Sequence, residues 1–227
     1  MATKIIIQTN ANESTWTSAT DLMAGLMIIF LFISISFIQH ASKVAEDWID
    51  KKEIIYKSLQ KEFKKELKSW DAQIIKETLV IRFNKPTVLF KLGSSVLTDK
   101  FKDILKNFFP RYTNLLYQFS DDISEIRIEG HTSSEWFSTN SDEDKYFLNM
   151  RLSHDRTREV LIFCLKNLHV PNKKYHWIRN NLIGAGFSSS KLVLNKMGKE
   201  DFEASRRVEF RILTNADKKL SSIIKEK

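Results

Sequence analysis

The chain has 227 residues, of which 42% are hydrophobic and 28% are charged, and its formal net charge is +8 at pH 7. This length accommodates one membrane span and one domain of about 130 to 150 residues, and it excludes two ordinary globular domains. Because Lys and Arg alternate with Asp and Glu and form no long basic block, we interpret them as solvated surfaces and expect no direct binding of nucleic acid. The single cysteine, Cys164, excludes an intrachain disulfide and suggests no metal cluster.

Residues 22–38 contain neither a charged residue nor a proline. As a helix this run measures about 25 Å, and with its polar flanks it spans a bilayer, so we predict a transmembrane helix over residues 18–40 after a short tail, 1–17. The run is longer than that of a cleaved secretory signal, and no small-x-small cleavage site follows it, so we expect an uncleaved anchor. Lys43, Lys51 and Lys52 after the span favour, by charge alone, a cytoplasmic C-terminal side.

Asp21 stands at the start of this apolar span. A carboxylate at that place is costly against lipid unless it faces a partner helix or a water-filled path, so Asp21 is the first candidate for an ion-conducting residue. The alternative is that Asp21 caps the N-terminus of the helix at the membrane surface. The small residues Ala24 and Gly25 just beyond it leave room for a close helix neighbour and favour the first interpretation.

Residues 41–77 are rich in Lys, Glu and Asp and lack Pro and Gly, and their apolar residues recur at helical spacing. This pattern predicts a helical linker. The linker either pairs with a second copy, lies on the membrane or on the following domain, or is a solvated helix with an incidental stripe. The stripe consists of Val44, Trp48, Ile55, Leu59, Phe63, Leu67, Trp70 and Ile74.

Short β-rich runs alternate with helical patterns over residues 78–214, and residues 215–227 form a tail. Such alternation predicts an α/β sandwich in which helices cover one sheet. We expect strands at 79–83, 87–90, 123–129, 182–187 and 207–213, one helix from 98 or 99, and a second from about 144 to 168. The polar insert after Gly130 and residues 188–202 are expected to be surface loops.

Four motifs follow one another in this region. They are Ile128-Glu129-Gly130-His131-Thr132, then Asn149-x-x-Leu152-Ser153-x-x-Arg156-x-x-x-Val160, then Gly184-x-Gly186, and finally Arg206-Arg207-Val208-Glu209. In this order they resemble the OmpA-like peptidoglycan-binding domain, and residues 88–97 fit the opening of that family. With an N-terminal span that begins on an acid, the whole chain resembles the MotB-type stator subunits, and its short tail and compact linker are most similar to the Zorya anti-phage group.

The resemblance implies a complex in which two copies of the chain place their spans inside a pentameric ring of MotA-like, or ZorA-like, membrane subunits. Asp21 would carry ions, protons rather than sodium, and the C-terminal domain would bind peptidoglycan. The chain would then be a single-pass protein of the inner membrane, with a cytoplasmic N-terminus and a periplasmic domain. A flagellar stator subunit and a passive membrane-to-wall tether are the alternatives.

The family binds the diaminopimelate of the peptidoglycan stem peptide with an Asp and an Arg. Arg156 matches that Arg, and a guanidinium is suited to bidentate capture of a carboxylate. The alternative for Arg156 is a surface salt bridge with Asp155 or Glu159 on the same helix.

Ser133 stands where the family has its Asp, and Glu135 and Asp142 are the candidates to replace that acid. Three further residues match the motifs and are expected to shape the pocket, although Leu152 is equally compatible with a plain core position. These residues are Thr132, Asn149 and Leu152.

The remaining polar residues do not assemble a catalytic or metal site. The histidines lack metal-ligand spacing with one another and with Cys164, and the chain has no serine elbow and no phosphate-binding loop. We therefore expect no enzyme, no cofactor and no bound metal.

Overall fold

The computed structural model describes residues 10–91 and 93–215. The chain forms two compact units, 1–50 and 51–227. Helix α1, Asn10–Phe63, begins in the first unit and ends in the second.

The first unit consists of the N-terminal part of α1. Within the described residues, Trp16–Lys43 is the one helical segment long and apolar enough to cross a membrane, with a mean hydropathy of 2.4. The hydroxyls of Thr20 and Ser34 donate to carbonyls one turn earlier in the same helix, which satisfies them without water. Because α1 begins at Asn10, Asp21 lies inside the helix and is not its N-cap.

After the end of α1, the elements of the second unit are β1 Ala72–Ile75, β2 Val80–Phe83, α2 Pro86–Leu89, α3 Asp99–Tyr117, β3 Ile123–Gly130, α4 Asp142–Lys166, α5 Asn172–Asn181, β4 Leu182–Gly186, α6 Phe202–Ser205 and β5 Val208–Thr214. The strands form a five-stranded sheet with strand order β1-β2-β5-β3-β4. All neighbouring strands are antiparallel except β3 and β4, which are parallel. The predicted α/β class, with one N-terminal apolar helix and a sheet domain, is confirmed.

A cluster of aromatic side chains occupies the part of the core between the sheet and α3. Phe108 of α3 lies 5.3 Å from the ring of Phe83, 5.0 Å from Phe210 and 4.9 Å from Tyr112, measured between ring centroids. Thr98 caps α3, because its hydroxyl accepts a hydrogen bond from the backbone N–H of Phe101. The predicted start of this helix at 98 or 99 agrees with the structure.

The end of α1 belongs to this core. Ile55, Leu59 and Phe63 are fully buried, and the ring of Phe63 lies 5.2 Å from that of Phe108. On the surface above them, Arg111 of α3 binds the carboxylate of Glu62 at 2.7 Å.

Residues 51–75 therefore lie in the sheet domain, whereas the sequence predicts a linker over 41–77. From Ile55 onward the apolar stripe packs against the core of this domain, and β1 pairs with β2 in the register Ala72↔Phe83. The side chains of Val44 and Trp48, the first two members of the stripe, lie outside the described residues.

One local prediction is wrong. Residues 87–90, predicted as a strand, mostly form the short helix α2, and only Phe90 makes an isolated bridge, to Leu97. Proline suits the first position of a helix, where its missing N–H costs nothing, and Pro86 stands at that position. The sequence does not predict helices α5 and α6 or strand β1.

Candidate functional site

Glycines let α4 pack unusually close to the ends of β3 and β4. A Cβ on Gly130 would lie 2.7 Å from the carbonyl oxygen of Ser153, and one on Gly186 would lie 2.5 Å from the backbone nitrogen of His154. The loop after β4 is tied to the same place, because the N–H of Ser188 donates to the hydroxyl of Ser153 at 3.0 Å. The first half of α4 is thereby held beside the loop that follows β3.

A cavity of about 1010 Å³ opens at this junction. All five residues predicted to bind peptidoglycan line it: Thr132, Ser133, Asn149, Leu152 and Arg156. Leu152 is half-buried at the cavity wall and is not a plain core residue. The remaining lining residues are Thr87, Phe90, Lys91, Gly93, Thr98, Glu135, Trp136, Phe137, Ser138, Glu203 and Arg206.

Arg156 is 8% exposed, and no carboxylate among the described residues lies within salt-bridge distance of it. Its Nε donates to the carbonyl oxygen of Ser94 at 3.1 Å, and its guanidinium lies over the ring of Phe90, 4.8 Å from the centroid. The alternative of a salt bridge with Asp155 or Glu159 is therefore wrong.

Burial, helped by the charge of Arg206, lowers the pKa of Arg156 to about 10, so the guanidinium is still charged at neutral pH. A buried cation without a counter-ion is costly. This arrangement suits an anionic group that enters the cavity.

The neighbouring polar groups are also fixed in place. Thr132 is buried, its N–H donates to the carbonyl oxygen of Ser188, and its hydroxyl has no hydrogen-bond partner among the residues that the structure describes. Ser133 is buried beside it. The amide of Asn149 donates to the carbonyl oxygen of Glu135 at 3.3 Å and so fixes the first part of the polar insert.

Of the two acids that were candidates to replace the family's Asp, only Glu135 lines the cavity. Its carboxylate lies 3.4 Å from the guanidinium of Arg206. The side chain of Asp142 is 95% exposed and pairs with Lys145 outside the lining.

A second polar cluster, which the sequence analysis overlooked, lies behind Thr132 on the sheet. Ligand atoms of Glu129, His131 and Glu209 all lie within 4.8 Å of one another, and the three side chains are buried. His131 stacks on Phe187, with ring centroids 5.1 Å apart, and neither ring nitrogen has a hydrogen-bond partner among the described residues.

Arginines already neutralise the two carboxylates of this cluster. Arg211 binds both oxygens of Glu129, at 2.8 and 3.1 Å, while Arg207 and Arg82 bind Glu209 at 2.6 and 2.8 Å. A metal ion would have to compete with these guanidiniums in a closed site, so we interpret the cluster as structural.

The pKa shifts in the cluster follow from burial and these partners. Burial raises the pKa of Glu129, but His131 and Arg211 lower it by more, to about 2. Burial also raises the pKa of Glu209, but Arg207 lowers it by more, so the pKa of Glu209 lies below its ordinary value. Burial lowers the pKa of His131 below its ordinary value of 6.5.

Sequence comparison identifies the relationship of the chain. It is 44% identical over 220 residues to the Zorya protein ZorB of Escherichia coli strain Crooks, and the match covers 93% of this chain and 92% of that protein. The chain belongs to the ZorB family. The predicted resemblance is thus confirmed, although no protein-family profile matches the chain.

A solved structure shows the same fold for this ZorB-family chain. A MotB-like protein from Desulfovibrio vulgaris, 19% identical, superposes with a TM-score of 0.53 over 74% of this chain and 93% of its own. The periplasmic domain of Helicobacter pylori MotB is 16% identical and gives a TM-score of 0.44 over 68% of this chain and 89% of its own.

Proposed function

We propose that this ZorB-family chain is the wall-anchored, ion-conducting membrane subunit of a Zorya anti-phage system. Membership of the ZorB family supports the role in defence, and the MotB-like fold supports the role as an anchor. Like these relatives, which are stator or anchor proteins, the chain is not an enzyme.

Anchoring rests on one observation: Arg156, a nearly buried guanidinium without a carboxylate partner among the described residues, lines a cavity large enough for a peptide. A carboxylate is the ligand that a guanidinium fork binds best. The side-chain carboxylate of diaminopimelate in a peptidoglycan stem peptide supplies such a group, and the unpartnered hydroxyl of Thr132 lies on the same cavity wall.

Ion conduction rests on Asp21 and its helix. The side chain of Asp21 projects from a helical segment whose other side chains are exposed and largely apolar. An acid in such a span needs partner helices or water, so we infer that two copies of the span lie inside a ring of five MotA-like (ZorA-like) subunits. The helix then crosses the inner membrane once, with the N-terminus in the cytoplasm and the sheet domain in the periplasm, and Asp21 carries protons.

The anchoring role is tested by a peptidoglycan pull-down with the full-length chain and its Arg156→Ala variant. Loss of a charge-assisted, bidentate contact costs about 2 to 3 kcal/mol, or roughly thirty- to hundredfold in affinity, so the variant should fail to sediment with sacculi. Arg158→Ala is the matched control, because Arg158 lies on the same helix but is exposed and pairs with Glu159. Undiminished binding by a folded Arg156→Ala variant contradicts the proposal.

A further inference from the structure

The net charge of the chain is concentrated in one part of the sheet domain. Residues 160–199 contain seven Lys and Arg residues and no Asp or Glu, so they carry +7 of the formal net charge of +8, whereas acids and bases are interleaved elsewhere. All but one of these basic side chains are exposed, and the exception, Lys174, donates to the side chain of Asn114. An exposed basic segment without acids attracts an anionic partner.

Within this segment, a hairpin after β4 sets apolar side chains between lysines. Leu194 bridges to Glu200 across the hairpin. The side-chain oxygen of Asn195 closes the turn, because it accepts hydrogen bonds from the N–H groups of Met197 and Lys199. At this tip Leu194 is 60% exposed and Met197 is 79% exposed. We call residues 191–200 the basic hairpin, and its lysines are Lys191, Lys196 and Lys199.

The base of the basic hairpin is fixed to the rest of the domain. Glu200 accepts hydrogen bonds from the N–H and the hydroxyl of Ser134, and the N–H of Val193 donates to the hydroxyl of Ser205 at 2.9 Å. The one acid of the hairpin is thus already bound, and its lysines have no ion-pair partner among the residues that the structure describes. A fixed hairpin loses less entropy when it binds a partner.

The combination of lysines with exposed apolar side chains favours an anionic bilayer as that partner. Lysines bind lipid phosphates, and apolar side chains beside them enter the headgroup layer. A nucleic acid or another soluble polyanion would bind the lysines but leave Leu194 and Met197 in water.

The chain itself brings a bilayer within reach of the domain. Only residues 44–54 separate the apolar segment Trp16–Lys43 from Ile55, where the core begins. A contact between the domain and that bilayer is therefore intramolecular, and even a weak lipid-binding surface can be occupied.

We propose that the basic hairpin binds the surface of an anionic phospholipid bilayer, with Lys196 and Lys199 at the lipid phosphates and Leu194 and Met197 in the headgroup layer. This inference rests on the membrane anchor of the proposed function but not on wall binding, because no residue of the hairpin lines the cavity. The contact restricts the orientations that the domain takes while it is not bound to the wall.

The test uses the full-length chain in nanodiscs, with a fluorophore attached at Met197→Cys. Cys164 is buried, so it does not take up the label. One set of nanodiscs contains phosphatidylcholine and the other an equal mixture with phosphatidylglycerol, and both carry a spin-labelled headgroup that quenches the fluorophore on contact. The fluorophore should be quenched in the anionic nanodiscs and far less in the neutral ones. Since each lysine near an anionic surface contributes about fivefold in affinity, Lys196→Gln/Lys199→Gln should lower the ratio of bound to free hairpin roughly twenty- to thirtyfold.

Lys166→Gln/Lys173→Gln is the matched control. Both lysines are exposed and belong to the same acid-free segment, but they lie outside the hairpin. This control removes the same charge and should change the ratio by less than about twofold, because screening limits the reach of each charge.

Equal losses for the two double variants, or equal quenching in neutral and anionic nanodiscs, would overturn the proposal. A fluorophore that responds to added sacculi or DNA and not to lipid would show that the hairpin binds a different polyanion. Failure of the chain to enter nanodiscs would overturn the membrane anchor itself, and this inference with it.

Discussion

At the scale of single residues, the sheet pairs like charges directly across strands. Glu129 stands opposite Glu209, and Arg127 opposite Arg211, in the register between β3 and β5. Like charges in such positions repel one another. The diagonal contact of Arg211 with Glu129 offsets this repulsion. This contact stabilises the fold only while the carboxylate of Glu129 is ionised.

His131 makes the same cluster sensitive to acid. Its folded pKa is below 6.5, so in acid the unfolded chain binds a proton before the folded one does, and the free energy of unfolding falls as the pH drops below about 6.5. Glu129 adds a second loss, because its contribution is complete above its ordinary pKa of 4.5 and disappears as the pH falls to about 2.

We predict that His131→Gln removes the first of these losses. Between pH 7 and pH 5 the free energy of unfolding of the wild type should fall with a slope of up to about 1.4 kcal/mol per pH unit, and that of the variant should be flatter. The measurement is denaturant unfolding at a series of pH values, with the exposed His176→Gln as control. Equal slopes for the wild type and His131→Gln would contradict the assignment, whatever the absolute stabilities.

At the scale of elements, the contact between α4 and the parallel pair β3–β4 determines the site. The backbone of α4 at Ser153 and His154 occupies the space that side chains on Gly130 and Gly186 would need. At Gly184, one pleat along the same strand, a Cβ would lie at an ordinary 3.6 Å from its nearest neighbours. Within β4, the requirement for glycine is therefore confined to its C-terminal end at Gly186.

Gly186→Ala should destabilise the domain by about 1 to 3 kcal/mol and weaken sacculus binding, because overpacking pushes α4 and Arg156 away from the loop after β3. Gly184→Ala should be close to neutral. Thermal unfolding and the pull-down measure the two effects on the same proteins. Similar losses for both variants would show that the close approach at Gly186 is not the cause.

The end of α1 sets where the folded domain begins. Ile55, Leu59 and Phe63 fill the core beneath α3, and removal of buried side chains of this size costs about 2 to 5 kcal/mol each. A fragment of residues 51–215 should therefore unfold cooperatively, whereas a fragment of residues 78–215 should not fold. Circular dichroism melts of the two fragments test this boundary, and a cooperative transition for the shorter one would contradict it.

At the scale of the whole molecule, one chain combines a span that carries an acid with a domain that has a candidate wall-binding cavity. In the proposed function, wall binding would hold the complex still, and ion passage past Asp21 would supply its energy. Because the two proposed functions use separate residues, we expect that each can be removed without the other.

Asp21→Asn should abolish protection against phage and proton flux in vesicles while assembly with the partner subunit and sacculus binding persist. Asparagine keeps the size and hydrogen bonding of the side chain but cannot bind and release a proton. Asp21→Glu, which retains a titratable carboxyl group, is the matched control and should keep part of the activity. Full protection by Asp21→Asn would exclude the conducting role.

The sequence by itself determined the features that depend on local pattern. The uncharged run of residues 22–38 predicted the apolar helix, and the alternation in 123–129 predicted β3. The ordered motifs that include Thr132 and Arg156 pointed to five binding-site candidates, and all five line one cavity. Only the tertiary structure decided what covers each apolar face and which distant side chains meet. It placed Ile55, Leu59 and Phe63 in the core, put Glu135 but not Asp142 in the lining of the cavity, and set Glu129 opposite Glu209 on neighbouring strands. The physical reason is that periodicity records which side of an element is apolar, whereas partners and burial depend on contacts between residues far apart in the chain.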